Sequence, residues 1–131
     1  MDRLVANLNG SLRVEVHHNP LAMHKNAYDA AAAAKAAQRQ GKFWEYNDAL
    51  LKAARFDRDT LIGLAGTVGL DKDAFVRDFD DPDLRKKVTA EAREALDASA
   101  LGTPGFLING HVEVGWASVA WLEQVVRKHL R

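Results

Sequence analysis

Apolar and polar positions follow two different rhythms along this chain, and the switches between them mark its elements. Leu4, Val5 and Leu8 fall on one face of a helix over Asp2–Leu8, and Asn9-Gly10 supplies its stop. Leu12–His17 then alternates apolar with polar, the rhythm of a half-exposed strand, and Asn19-Pro20 ends it. Asn26–Gln40 is rich in alanine, the strongest helix former, and predicts a helix broken by Gly41. Lys42–Arg55 predicts the next helix, with Phe43, Trp44, Leu50 and Leu51 offered to a core. Asp59 is a candidate cap for a helix to Val68, and Asp71 for one through Phe79. Asp81-Pro82 opens a longer helix through Leu96 that ends before Gly102. Gly105–Ile108 and His111–Val114 are short strands joined by Asn109-Gly110, a two-residue hairpin turn because both residues tolerate positive φ. Ser118 caps a final helix to about Leu130.

The order is helix end, strand, block of helices, hairpin, helix. A chain of 131 residues fits a single domain, 1–131, with a helical insert at about 24–100. Lys plus Arg and Asp plus Glu number 18 each, so the formal net charge is zero. No basic field points to nucleic acid or to a membrane surface as partner, and little charge repulsion opposes self-association. No apolar run approaches the roughly 20 residues of a membrane helix. The first residues carry no signal-peptide pattern. The cysteine count is zero, which removes disulfides, cysteine-based metal sites and thiol nucleophiles from these residues.

Gly102-Thr103-Pro104-Gly105-Phe106-Leu107-Ile108-Asn109-Gly110 resembles the cis-proline strand of DsbA-like thioredoxin-fold proteins, in which Gly-Thr-Pro opens a strand ending in an Asn-Gly turn. His18-Asn19-Pro20-Leu21-Ala22-Met23-His24-Lys25-Asn26-Ala27 resembles that family's entry into its helical insert, and Gln40-Gly41-Lys42-Phe43-Trp44-Glu45 its next helix start. The three stretches occur in the family's order, and the resemblance covers essentially the whole chain. It implies an α/β class: a thioredoxin-like fold with a helical insert, here missing the first β-strand. It also implies thiol–disulfide exchange in the bacterial cell envelope, run by a Cys-x-x-Cys at the start of the first helix, where the helix N-terminus favours the thiolate. The matching region would precede Met1. No residue of this chain is therefore a catalytic candidate, no cofactor is implied, and the isolated chain is expected to be redox-inactive. The resemblance assigns peptide binding to Thr103 and Pro104: the proline bond is cis, and the residue before it offers backbone hydrogen bonds to an extended peptide or protein substrate. From the local residues alone, Pro104 reads equally well as the stop after the long helix. Two functions stay open: part of an oxidoreductase whose nucleophile lies elsewhere, or a cysteine-free peptide-binding or scaffolding domain.

Other candidates read as structure. His17, His18, His24, His111 and His129 do not suggest the three or four converging ligands that zinc needs, so no metal is expected. Trp44, Trp116 and Trp121 are read as packing residues rather than a peptide surface. Asp78, Asp80, Asp81 and Asp83 fit no calcium loop, and capping by Asp81 explains them better. In the thioredoxin fold the first strand is central, so its absence leaves Leu12–His17 and Gly105–Ile108 without a neighbour. Each unpaired buried backbone group costs about 1–3 kcal/mol. The expected remedy is either Leu12–His17 sliding in to pair with Gly105–Ile108, or a strand-exchanged homodimer.

Overall fold

The computed structural model describes residues 1–99 and 102–130. Its elements are α1 (Asp2–Asn7), α2 (Ala27–Arg39), α3 (Phe43–Lys52), α4 (Arg58–Thr67), α5 (Lys72–Phe79), α6 (Pro82–Asp97), β1 (Gly105–Ile108), β2 (His111–Val114) and α7 (Val119–His129). They fall into two compact units: Met1–His17 with Arg93–Arg131, and His18–Ala92.

The helical unit is built around α2. Ala31, Ala32, Ala33, Ala34, Ala36 and Ala37 are all buried, and four consecutive buried positions mean that the helix is enclosed on every side. Alanine makes this possible, because a methyl side chain lets neighbouring helices approach closely. Tyr46, Leu61, Phe75, Phe79, Leu84 and Val88 fill the space around it. Tyr46 lies against Phe75, with ring centroids 5.5 Å apart, and Phe75 stacks on Phe79 at 5.9 Å.

The caps follow side-chain chemistry. Asp71 accepts from the Ala74 N–H at 2.8 Å, and Asp81 from the Asp83 N–H at 2.9 Å beside Pro82. The start of α4 differs from expectation. Asp57, not Asp59, is the cap, accepting from the Thr60 N–H at 3.0 Å and also bonding its hydroxyl. Two aspartates stand two residues apart, and the one that reaches both Thr60 donors sets the boundary. The α3 helix also ends earlier than Arg55, because Ala53 turns to an extended backbone.

The other unit holds the hairpin. β1 and β2 are antiparallel, with Gly105 opposite Val114, Phe106 opposite Glu113, Leu107 opposite Val112 and Ile108 opposite His111. Asn109 (φ 48°) and Gly110 (φ 87°) take the left-handed backbone that the tight turn demands. One face of the hairpin, through Phe106 and Ile108, packs on Leu4 and Leu8 of the N-terminal segment and on Leu122 and Val126 of α7. Ser118 caps α7 by accepting from the Trp121 N–H at 3.1 Å.

Leu12–His17 is not a strand. Its predicted alternation is visible in burial, with Leu12 and Val14 half-buried and Arg13 and Glu15 exposed. Among the described residues the sheet nevertheless has two strands, and Leu12–His17 pairs with neither. Alternation selects the face that turns inward, but a strand also needs an adjacent backbone. The segment therefore did not slide in to close the sheet against Gly105–Ile108.

Candidate functional site

The loop that enters β1 carries the sequence-predicted residues. Thr103 and Pro104 are both exposed, and the peptide bond between them is cis. The Pro104 carbonyl accepts from the Gly115 N–H at 2.9 Å, which ties this end of β1 to the residue after β2. Among the described residues, nothing pairs with the Thr103 backbone. Thr103 is thus an outward backbone donor and acceptor on a loop whose next residue is anchored.

The pairing continues this pattern. In an antiparallel ladder, residues alternate between those that bond the neighbouring strand and those that face away. The Gly115–Pro104 bond and the register fix the phase. Phe106 and Ile108 bond across to β2, so the N–H and C=O of Gly105 and Leu107 point away from β2. Their side positions lie on the face opposite the core, where Leu107 is 65% and Val114 52% exposed. Leu107, Val112 and Val114 make this a wholly apolar strip.

At the far end of the hairpin the rings of His111 and His129 stack with centroids 4.2 Å apart. His129 Nε2 lies 3.3 Å from Glu113 Oε1, and the Asn109 amide donates to the His129 carbonyl at 2.8 Å. These contacts pin the turn to the end of α7. Among the described residues, no group of three or more histidine, aspartate or glutamate side chains could hold a metal ion. His17 instead lies beside Glu15 and Glu94 at 3.8 and 3.7 Å, while His24 sits in a turn that donates to the Leu21 carbonyl. The structure brings none of His17, His18 or His24 together as a ligand set.

The tryptophans divide. Trp121 packs on Phe106, with ring centroids 6.4 Å apart, as a core residue does. Trp44 and Trp116 stay exposed, contrary to expectation. Trp44 stands edge-on to Phe43 at 5.1 Å, and Trp116 lies just after β2.

The acidic run has partners that reading along the chain did not find. Arg39 bridges Asp78 at 3.1 Å and Asp81 at 2.7 Å, and Arg58 grips Asp80 with two hydrogen bonds of 2.6 and 2.7 Å. The Arg58 hydrogen bonds hold Asp80 below the usual carboxylate range. For Asp81, hydrogen bonds from the Asp83 N–H and from Arg39 do the same. Arg85 donates to Asp29 and to the Phe79 carbonyl, and lies over the Phe79 ring at 4.9 Å. These aspartates hold helices together. Lys35 and Glu91 form a close ion pair, and Glu91 also accepts from the His18 N–H at 2.8 Å. Burial pushes Glu91 up, but Lys35 and the His18 N–H outweigh it and hold the carboxyl below its ordinary range.

A family model, the DSBA-like thioredoxin domain, matches residues 2–127. The Na(+)/H(+) antiporter NhaA of Herminiimonas arsenicoxydans is 34% identical over 110 residues, covering 83% of this chain and 17% of that protein. The Na(+)/H(+) antiporter NhaA 1 of Salinispora arenicola (strain CNS-205) is 34% identical over 118 residues, covering 88% and 18%. This chain thus spans less than a fifth of the length of the curated relatives it matches. A thioredoxin-like oxidoreductase from Silicibacter pomeroyi DSS-3 superposes with a TM-score of 0.79 at 24% identity, over 96% of this chain and 76% of that one. That likeness establishes a thioredoxin-like fold.

Proposed function

From the premise that this chain belongs to the DSBA-like thioredoxin domain family, we propose that these residues form a peptide-docking surface of such a domain, with no thiol among them. The family is thiol-oxidoreductase-like, and this sequence has no cysteine, so these residues hold no group that can attack a disulfide. Thr103 and Pro104 receive an extended polypeptide, with the Thr103 N–H and C=O as its hydrogen-bond partners. The observation that carries the reading is exposed Thr103, whose backbone has no partner among the described residues, beside a Pro104 carbonyl anchored by Gly115. An anchored loop loses little freedom on binding, so more of the pairing energy is kept. Any disulfide exchange at this site takes its thiols from a segment outside these residues.

Ion transport is not part of the proposal. The antiporter names belong to proteins of which this chain matches a small part, and among the described residues no helix is long and apolar enough to cross a membrane.

Two measurements test the reading. Titration of the isotope-labelled chain with an extended, cysteine-free peptide should shift the amide resonances of Thr103 and Gly105 first. Insulin reduction and dithiol-peptide oxidation by the purified chain should stay at the buffer rate. Catalytic turnover, or peptide shifts that leave Thr103 and Gly105 untouched, overturns the proposal.

A further inference from the structure

We propose that Asn9 is a site of spontaneous modification by water, and that the fold leaves it open to this chemistry while shielding the identical dipeptide at Asn109. The reaction belongs to asparagine followed by glycine, whose missing side chain leaves its nitrogen unhindered. The Gly10 backbone nitrogen gives its proton to solvent base and attacks the side-chain amide carbon of Asn9. A carbon–nitrogen bond forms, the bond to Nδ2 breaks, and ammonia leaves with a proton taken from solvent. The five-membered imide then takes up one water. Opening at one carbonyl gives aspartate, and opening at the other gives isoaspartate, in which the chain runs through the side-chain carbon. Nothing is oxidised or reduced, and the net change is amide plus water to carboxylate plus ammonium.

The sequence holds two Asn-Gly pairs, Asn9-Gly10 and Asn109-Gly110, and much about them is alike. Both asparagines are exposed, and their backbones are the same, with φ 47° at Asn9 and 48° at Asn109. The tethers differ. Attack requires rotating the asparagine side chain and backbone, so the rate follows how often the turn opens. The Asn109 amide donates to the His129 carbonyl at 2.8 Å, and Ile108 pairs with His111 across the hairpin. His129 is itself seated by its stack on His111 and by Glu113. Opening that turn breaks the amide's bond and the last pair of the ladder together. Among the described residues, the Asn9 amide has no partner. Its N–H reaches the Ala6 carbonyl at 3.3 Å, and one bond, from the Ser11 N–H to the Leu8 carbonyl at 2.9 Å, closes its turn.

The position also bears on the core. Leu8 is buried with Leu4, Leu122 and Val126, and Leu12 packs against the same cluster. Isoaspartate at position 9 adds one backbone carbon between Leu8 and Leu12, which lengthens the closed turn and loosens the Ser11–Leu8 hydrogen bond. Either product adds one negative charge to a chain whose formal net charge is zero.

The folded chain is held for days in mildly alkaline, ammonia-free buffer, then resolved by ion exchange and by mass spectrometry of tryptic peptides. Peptide 4–13 holds Asn9, and fragmentation separates it from Asn7; peptide 94–127 holds Asn109. Asn9 should convert about tenfold faster than Asn109, or more, because conversion tracks the open population of each turn. In guanidinium the two rates should converge, since nothing then tethers either asparagine. Asn9→Gln should abolish the early acidic form, because the longer side chain closes its ring far more slowly. Equal rates in the folded chain, faster conversion at Asn109, or an Asn9 that stays intact while the unfolded chain converts overturns the proposal. So does a tenfold gap that persists in guanidinium, since that result assigns the difference to the flanking residues and not to the fold.

Discussion

Tyr46 is the buried residue whose removal separates two kinds of stabilisation most clearly. Its ring is fully buried against Phe75, and its hydroxyl donates to the Leu61 carbonyl at 2.8 Å. Tyr46→Phe keeps the ring and deletes one buried hydrogen bond, which should cost about 1 kcal/mol. Tyr46→Ala also opens a ring-sized cavity and should cost about 3–5 kcal/mol. The pH dependence gives an independent check. Burial pushes the Tyr46 hydroxyl above its ordinary value, so the folded state holds its proton at a pH where the unfolded chain has released it. A group with a raised folded pKa contributes fully below its unfolded pKa, near 10, and loses that contribution as pH rises toward the folded value. Above pH 10 the wild type should lose about 1.4 kcal/mol per pH unit relative to Tyr46→Phe. Its advantage of about 1 kcal/mol at neutral pH should therefore vanish within roughly one pH unit and then reverse. Urea unfolding of both chains, followed by circular dichroism at pH 7, 9 and 11, measures this. An undiminished wild-type advantage at pH 11 would refute the reasoning, as would a Tyr46→Phe chain of unchanged stability at pH 7.

Three further outcomes follow from named contacts. Asp57→Ala should lower the melting temperature, whereas Asp59→Ala should leave it nearly unchanged, because only Asp57 satisfies the Thr60 N–H; differential scanning calorimetry of both variants decides this. Glu91 has a depressed folded pKa, so its contribution is present above the ordinary carboxylate range and lost as pH falls through the folded value. Acid titration of stability should therefore fall more steeply for the wild type than for Glu91→Gln. Phe75→Ala should cost about 3–5 kcal/mol in urea unfolding, since the ring is fully buried between Tyr46 and Phe79.

Local chemistry in the sequence was enough to place most elements. The Ala-rich run reads as α2 because alanine favours the helix wherever it sits. Asn109-Gly110 reads as a turn because both residues adopt positive φ at little cost. Asp71, Asp81-Pro82 and Ser118 read as helix starts because a cap needs only the next two or three N–H groups. The family resemblance rested on the same kind of local signal around Thr103-Pro104, and the absence of cysteine was plain from composition. Tertiary structure decided whatever depends on partners distant in sequence. Leu12–His17 alternates like a strand yet has no ladder, because pairing requires a second backbone that alternation cannot supply. The choice of Asp57 over Asp59 was settled by which carboxylate reaches Thr60. The arginines that hold Asp78, Asp80 and Asp81, and the exposure of Trp44 and Trp116, emerge only when helices far apart in the chain are brought side by side. The phase of the β1–β2 ladder likewise decides that the backbone groups of Gly105 and Leu107 point away from β2 while those of Phe106 and Ile108 bond to it. A residue type limits what a side chain can do, and only the neighbours that folding supplies determine what it does.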